Sequence, residues 1–250
     1  MSKKLIDKVA IVTGGSKGIG ASIAEELAEE GASVVVNYST SKEDADIVVQ
    51  SIKRKGGKSI AIQANMTNQK DIDRLFSETE KIFGKLDVLI NNAGFYEFAS
   101  LEKITVENFH KHFDLNVLGL LLACQTAVKH FNSAGGSIVN ISSLASKSWA
   151  PYATVYSATK AAVDSITKSL GCELGSRNIR VNAINPGIIQ TEGTQSTGII
   201  DSELRQKVEA RTPLKRIGLP KDITKAAIFF ASDDSAWITG ETLVISGGFR

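Results

Sequence analysis

The sequence predicts an α/β fold in which seven parallel strands form one doubly wound sheet with helices on both faces. Strand-like apolar runs alternate with helix-like amphipathic segments along all 250 residues. A glycine-rich turn follows the first apolar run, and no linker rich in Pro or Ser divides the chain. These observations are typical of a Rossmann-like fold. We expect residues 1–250 to form a single domain of this fold.

The first element is a strand that runs into a candidate phosphate loop. Val9–Val12 is an apolar run suited to a buried parallel strand. Glycines follow at Gly14, Gly18 and Gly20, and apolar residues at helical spacing resume at Ile23. This places a helix N-terminus, which favours anions, at the loop. The spacing Gly-x-x-x-Gly-x-Gly differs from the common dinucleotide fingerprint Gly-x-Gly-x-x-Gly.

The remaining strands and helices follow in alternation. The predicted strands cover residues 33–36, 59–63, 86–90, 137–141, 179–184 and 242–245. The predicted helices cover residues 43–55, 70–83, 106–131, 154–175 and 222–231, and 188–216 is expected to be an irregular substrate loop. Because ligands bind beyond the carboxyl ends of parallel strands, the polar segments that follow these strands should meet at one edge of the sheet.

Composition excludes several other classes of protein. The net charge is +2, with no long basic run, which argues against nucleic-acid binding. No stretch of 18 apolar residues and no apolar leader segment is present, so we expect a cytoplasmic protein that is not associated with a membrane. Cys124 and Cys172 lie in predicted helices and fit reduced thiols. His110 and His112 are expected on a solvated helix surface, and no metal site is predicted.

Tyr156 and Lys160 are the first candidates for acid–base chemistry. Their i, i+4 spacing at the start of a predicted helix puts the phenol and the ammonium on one face. A positive charge beside a phenol lowers its pKa toward neutrality, as a proton-transfer catalyst requires. The pair alone is a weak signal, because Tyr-x-x-x-Lys is frequent by chance.

Five motifs together resemble the short-chain dehydrogenase/reductase family over essentially the whole chain. They are Thr13-Gly14-x-x-x-Gly18-x-Gly20, Asn91-Asn92-Ala93-Gly94, Asn140-Ile-Ser-Ser143, Tyr156-x-x-x-Lys160 and Asn185-Pro-Gly187. The resemblance implies that Tyr156 is the general acid or base, that Lys160 lowers its pKa and holds the nicotinamide ribose, and that Ser143 binds the substrate oxygen. It also implies that Asn116 fixes a proton-relay water, although a helix kink would equally explain that asparagine.

The same resemblance implies a set of cofactor-binding residues. These are Gly14, Ser16, Lys17, Gly18, Ile19, Gly20, Asn37, Tyr38, Ser39, Asn65, Met66, Asn92, Ala93, Gly94, Tyr156, Lys160, Pro186, Gly187, Ile189 and Thr191. Asn65 stands where the family often has Asp, and its side-chain oxygen could still accept from adenine.

The residues after the second strand favour NADP(H) over NAD(H). No acidic residue stands at Asn37-Tyr38-Ser39 to receive a ribose 2′-hydroxyl, and these side chains offer neutral donors. Lys17 adds a positive charge where a 2′-phosphate would lie, and a solvent-facing lysine without that role is the less favoured alternative.

The expected activity is hydride transfer to or from a small ketone or secondary alcohol. A 3-oxoacyl chain on a carrier protein, a polyol or sugar, and a cyclic or aromatic ketone compete as substrates. A carrier protein would need a basic docking surface, but the helix after Lys160 presents Gly171-Cys172-Glu173 rather than arginines. A carrier-bound substrate is therefore less expected than the other two. A nucleotide-sugar epimerase and a non-catalytic cofactor sensor are the alternatives from other classes.

A homotetramer is expected from the apolar helices at 106–131 and 154–175. Residues such as Leu118, Leu120, Leu121 and Leu122 give the first helix more apolar surface than one buried face uses. In the family these helices pack against symmetry mates. Burial within one chain is the alternative.

Overall fold

The computed structural model describes residues 3–148, 150–196 and 203–250, and in them seven strands form one parallel sheet. Its order is β3-β2-β1-β4-β5-β6-β7, so the chain starts in the middle and winds outward in both directions. The strands are β1 Val9–Val12, β2 Ser33–Tyr38, β3 Lys58–Gln63, β4 Val88–Asn91, β5 Gly136–Ile141, β6 Ile179–Pro186 and β7 Thr242–Ile245. The predicted Rossmann-like α/β fold is confirmed.

Helices connect the strands across both faces of the sheet. Those described are α1 Gly18–Glu29, α2 Lys42–Arg54, α3 Gln69–Phe83, α4 Val106–Phe113, α5 Leu120–His130, α6 Thr154–Glu173, α7 Glu192–Ser196, α8 Glu203–Arg211 and α9 Pro220–Ala231. Asn68 caps α3, with its Oδ1 accepting from the backbone N–H of Lys70 and of Asp71. The crossover helices allow neighbouring strands to run parallel.

Alternate residues along the strands belong to two hydrophobic cores, one on each face of the sheet. Ala10 and Val12 of β1 belong to the cluster that includes α1, α2 and α9, whereas Ile11 belongs to the cluster that includes α3, α5 and α6. All three residues have no measurable exposure. Because successive side chains point to opposite faces, a strand buried on both faces must be apolar throughout, as β1 is.

The long helix predicted at 106–131 is interrupted. α4 and α5 are joined by a turn of π-helix at Asp114–Gly119, and Phe131 lies beyond the helix, where it bridges to Leu86. The apolar periodicity continues through the turn, so it could not reveal the change in hydrogen bonding.

The expected irregular loop at 188–216 also differs from the prediction, because it contains α7 and α8. Residues 197–202 of that loop lie outside the described residues.

The prediction that both histidines lie on a solvated helix surface is correct for His110 and wrong for His112. The ring of His112 is fully buried, 4.8 Å from the ring of Phe95 between centroids. Its Nε2 accepts from the backbone N–H of Glu97 at 3.1 Å, so Nδ1 carries the proton and donates to the carbonyl of Asn108 at 2.8 Å. Two backbone partners thus satisfy both ring nitrogens of His112 in the interior.

Both cysteines are free thiols, as predicted. Burial raises the pKa of Cys124 to about 12, while a hydrogen bond from Asn91 acts in the opposite direction. Within the described ranges, each helix is too short or too polar to span a bilayer.

Candidate active site

A cavity of about 580 Å³ opens along the carboxyl ends of the strands. Ten of the predicted site residues line it: Ile19, Asn92, Gly94, Ser143, Tyr156, Lys160, Pro186, Gly187, Ile189 and Thr191. The other predicted residues lie in the glycine loop and the start of α1, at the end of β2 and just beyond it, after β3 and β4, and in the π-helical turn. Tyr96 also lines the cavity, and its ring lies 6.1 Å from that of Tyr156. No motif in the sequence pointed to Tyr96.

The glycine loop and the segment after β4 are held tightly together. Thr13 Oγ1 accepts from the backbone N–H of Asn92 and of Ala93, each at 3.0 Å. Asn92 Nδ2 donates back to the carbonyls of Thr13 and Gly14 at 3.0 and 2.9 Å. A Cβ on Gly20 would lie 2.4 Å from that Nδ2 and 2.5 Å from the Gly14 carbonyl oxygen. Only glycine therefore fits this approach.

The N-terminus of α1 binds an anionic group within the protein itself. The Gly18 N–H donates to Glu192 Oε2 at 3.1 Å. A carboxylate oxygen here occupies the kind of position that a phosphate oxygen takes at such a helix end. The loop therefore fits the diphosphate of a dinucleotide, which would have to displace Glu192.

Asn37 does not present its side chain to a ligand as predicted. It is 1 % exposed, and its Nδ2 donates to the carbonyls of Tyr38, Ile62 and Ala64. Its Oδ1 accepts from the Gly14 N–H at 3.2 Å. The amide thus ties the glycine loop to β3, because every polar atom of the side chain is used inside the protein.

Asn65 is likewise engaged locally. Its Oδ1 accepts from both the N–H and the hydroxyl of Thr67 at 3.0 Å, so the lone pairs expected to meet adenine are in use. Lys17 is half-exposed and forms an ion pair with Asp44 at 2.8 Å. Tyr38 and Met66 are buried, and the Ser39 carbonyl accepts from Gln63.

Tyr156 and Lys160 lie one turn apart on α6, as their spacing predicted. The Lys160 Nζ lies 5.7 Å from the centre of the Tyr156 ring and donates to the Ile141 carbonyl at 2.9 Å. The Ser143 side chain hydrogen-bonds to Tyr156. The segment after β5 and the N-terminal part of α6 thus bring a hydroxyl, a phenol and an amine together.

The pKa of Tyr156 is shifted opposite to the prediction. Burial raises it, the hydrogen bond from Ser143 partly offsets that rise, and Tyr96 adds to it. Burial also lowers the pKa of Lys160 to about 8, against a smaller opposing effect of the Asp164 carboxylate. Both shifts have the same cause, because enclosure disfavours the charged form of each group.

Asn116 lies in the π-helical turn and is 1 % exposed. Its Oδ1 accepts from the Phe95 N–H at 2.7 Å, and its Nδ2 donates to the Phe95 carbonyl at 2.8 Å and to Thr159 Oγ1 at 3.1 Å. The side chain fastens the segment after β4 to α6. Both readings of Asn116, as a water-holding residue and as a residue of a distorted helix, remain compatible with this placement.

A buried polar cluster behind Ser143 was not predicted. Asp164 accepts from Ser146 Oγ at 2.7 Å and from Asn185 Nδ2 at 2.9 and 3.0 Å. Ser146 and Asn185 also donate to the Ser143 carbonyl, at 2.8 and 3.2 Å. The sequence signal was the placement of Asp164 one turn after Lys160, together with the asparagine of Asn185-Pro-Gly187. The cluster fixes the backbone that carries the Ser143 hydroxyl.

The comparisons with known proteins agree with this geometry. A family model described as enoyl-(acyl carrier protein) reductase matches residues 14–250. An uncharacterized oxidoreductase of Methylorubrum extorquens is 51 % identical over 247 residues, covering 99 % of both chains. The chain belongs to the short-chain dehydrogenase/reductase family. It is therefore an oxidoreductase of a family that uses a nicotinamide cofactor.

Two further members of the short-chain dehydrogenase/reductase family are similar over nearly the whole chain. The 3-oxoacyl-[acyl-carrier-protein] reductase FabG of Staphylococcus aureus is 41 % identical, covering 96 % of this chain and 97 % of the relative. The crystal structure of a dehydrogenase/reductase from Sinorhizobium meliloti superposes with a TM-score of 0.94 at 35 % identity, covering 100 % of this chain and 97 % of that one.

Proposed function

We propose that this protein is an NADP(H)-dependent carbonyl reductase that transfers a hydride between nicotinamide and a small ketone or secondary alcohol. The observation that carries the proposal is the meeting of Ser143, Tyr156 and Lys160 on one cavity, next to a glycine loop that accepts an anion. Bound nicotinamide supplies or accepts the hydride. The protein has to orient the substrate carbonyl and move one proton.

Tyr156 is the proton donor to the carbonyl oxygen during reduction, and the proton acceptor in the reverse direction. Its raised pKa keeps the phenol protonated at neutral pH, so the proton to be donated is present before reduction begins. Ser143 donates its hydroxyl hydrogen to the same oxygen and so stabilises the negative charge that develops there. The cluster of Asp164, Ser146 and Asn185 holds Ser143 in place for this contact.

Lys160 holds the ribose hydroxyls of the nicotinamide nucleotide and passes protons toward Tyr156. A pKa of about 8 lets its amine exchange a proton near neutral pH. In this proposal the remaining predicted cofactor residues surround the dinucleotide, while Asn37, Asn65 and Asn92 act by fixing the loops that do so. Asn116 keeps its predicted role of positioning a relay water.

The NADP(H) preference rests on charge at the end of β2. No carboxylate stands at Asn37, Tyr38 or Ser39, and Lys17 provides the nearby cation. A 2′-phosphate would compete with Asp44 for that ammonium. We include in the proposal a single catalytic domain, a cytoplasmic location and a homotetrameric assembly.

Replacing Tyr156 tests the catalytic assignment. Tyr156→Phe should lower kcat about 100- to 10,000-fold, the typical contribution of a general acid, while NADPH affinity stays near that of the wild type. Oxidation of NADPH at 340 nm with a panel of ketones measures the first effect, and fluorescence titration measures the second. Wild-type turnover in this variant would rule out the assigned role.

A 3-oxoacyl thioester reductase is the second candidate function. It is favoured by the 41 % identity to the relative named 3-oxoacyl-[acyl-carrier-protein] reductase. Including a 3-oxoacyl thioester in the ketone panel distinguishes the two candidates by relative kcat/KM.

A further inference from the structure

The charged side chains that line the active-site cavity are all cationic. Among the described residues they are Lys160, Lys207 and Arg211, and no Asp or Glu lines the cavity. Lys160 already has a place in the acid–base group. Lys207 and Arg211 both belong to α8, one turn apart, so they lie on the same face of that helix.

Much of the remaining cavity wall is apolar. Phe98, Leu144, Ala150, Pro151, Val208 and Phe249 line the same cavity. Binding pockets of this kind use apolar walls for contact area and a few polar groups for orientation. A cation in such a wall is an orienting group for a ligand of opposite charge.

Arg211 contacts an aromatic ring and forms no ion pair with a carboxylate among the described residues. Its guanidinium carbon lies 5.2 Å from the centre of the Phe249 ring. A cation–π contact at this distance restricts the guanidinium and does not use its N–H donors. In the described ranges no carboxylate lies within ion-pair distance of Arg211, whereas Arg205 on the same helix pairs with Glu209 at 3.0 Å.

Lys207 is only loosely engaged. Its Nζ lies 3.6 Å from a carboxylate oxygen of Glu203, and both side chains are largely exposed. Such a pair contributes little and can be exchanged for a ligand anion at small cost. The Gly18 N–H of the glycine loop, by contrast, is already paired with the carboxylate of Glu192.

We propose that Arg211, assisted by Lys207, is an anion subsite for the substrate, and that the physiological substrate is a small ketone or alcohol that carries a carboxylate or a phosphate. The proposal rests on the reductase function above and specifies its substrate class. Arg211 would bind the anionic group through two parallel N–H donors, while Ser143 and Tyr156 engage the carbonyl.

Matched substrate pairs test the subsite. One pair is 3-oxobutanoate and its methyl ester, and the other is hydroxyacetone phosphate and hydroxyacetone, so the two pairs distinguish a carboxylate from a phosphate. We expect wild-type kcat/KM to favour the anionic member of one pair. In Arg211→Gln that preference should fall about tenfold or more, as expected for loss of a charge-assisted hydrogen bond, and Arg211→Lys should restore part of it.

Arg205→Gln is the control, because Arg205 lies on the same helix but is paired with Glu209 and does not line the cavity. It should leave the preference unchanged. NADPH affinity, measured by fluorescence titration, separates a substrate subsite from a cofactor contact, and a large loss in Arg211→Gln would overturn the proposal. An unchanged anion preference in Arg211→Gln, or turnover of the neutral members alone, would also overturn it while leaving the reductase function intact. Turnover of no ketone at all would overturn the reductase function and the subsite together.

Discussion

At the scale of single residues, Asp164 is the one charged group that opposes the effect of burial on Lys160. Its carboxylate raises the pKa of Lys160, whereas burial lowers that pKa to about 8. The same carboxylate accepts hydrogen bonds from Ser146 and Asn185. The charge of Asp164 can be removed while part of its hydrogen bonding is kept, because an asparagine at this position could still accept from Asn185.

Asp164→Asn should therefore move the alkaline limb of the pH profile to lower pH. Charged Lys160 is lost as pH rises through about 8, so reduction should decline there in the wild type. Removing the carboxylate lowers the pKa of Lys160 further, and the decline should begin earlier. The pH dependence of kcat/KM for ketone reduction measures this shift.

Asn185 makes this substitution a mild one for the fold. Its Nδ2 donates to both oxygens of Asp164, at 2.9 and 3.0 Å, so one of these hydrogen bonds is kept when the other oxygen becomes an amide N–H₂. An alkaline limb that stays in place in the variant, with the fold intact, would show that Asp164 acts on structure alone.

Replacing Lys17 tests the proposed preference for NADP(H) over NAD(H). Lys17→Ala should weaken NADPH binding about tenfold, because the ammonium would no longer meet the 2′-phosphate. NADH lacks that phosphate and should bind as before. Fluorescence titration with both cofactors measures the difference, with Lys53→Ala as a control on the exposed end of α2.

Equal loss for both cofactors in Lys17→Ala would contradict an interaction with the 2′-phosphate. Placing an acid at Asn37 is a poorer test, since a carboxylate there would face the carbonyls of Tyr38, Ile62 and Ala64.

At the scale of elements, the π-helical turn couples two parts of the candidate site. A Cβ on Gly119, the last residue of the turn, would lie 2.4 Å from the Met66 carbonyl oxygen. Met66 follows β3 at the edge of the sheet, whereas Asn116 in the same turn holds Phe95 and Thr159. The close packing of this turn thus links the end of β3 to α6.

Gly119→Ala should destabilise the protein by about 1–3 kcal/mol, the usual cost of forcing an extra carbon into a packed interior. Gly175→Ala is the control, because nothing lies within 4 Å of the Cβ it would add. Urea unfolding at one protein concentration measures both variants. Equal stability of the two variants would mean that the turn can shift away from Met66 without cost.

At the scale of the whole molecule, apolar side chains remain uncovered along α4 and α5. Val106 is 77 % exposed and Leu118 48 %, and the stacked rings of Phe109 and Phe113 lie 4.2 Å apart beside them. Trp237, before β7, is 100 % exposed. Surfaces of this composition are typical of contacts between subunits.

The proposed homotetramer predicts a mass close to four times the 26.7 kDa of the chain. Light scattering coupled to size exclusion at micromolar concentration measures it. Phe109→Glu should shift the mass downward, because a carboxylate would be buried without a partner in a contact between helices. A mass near that of one chain in the wild type would contradict the tetramer.

The sequence by itself determined the fold and the placement of Tyr156 and Lys160 one turn apart on a helix. Apolar runs alternating with amphipathic segments predicted all seven strands, since strands buried on both faces must be apolar. The sequence also revealed the glycines of the first loop and the i, i+4 pair of Tyr156 and Lys160. Local spacing fixes which side chains share a turn or a helix face.

Only the tertiary structure decided how polar groups are paired and how far they are buried. The amide of Asn37 turns inward to β3, and Asn65 bonds to Thr67, because hydrogen-bond partners distant in sequence or set by turn geometry carry no periodic signal. The direction of the Tyr156 pKa likewise follows from the burial of its hydroxyl rather than from the neighbouring lysine. The position of Lys207 and Arg211 on the cavity wall depends on how the chain after β6 folds over the edge of the sheet. Local sequence does not specify that path.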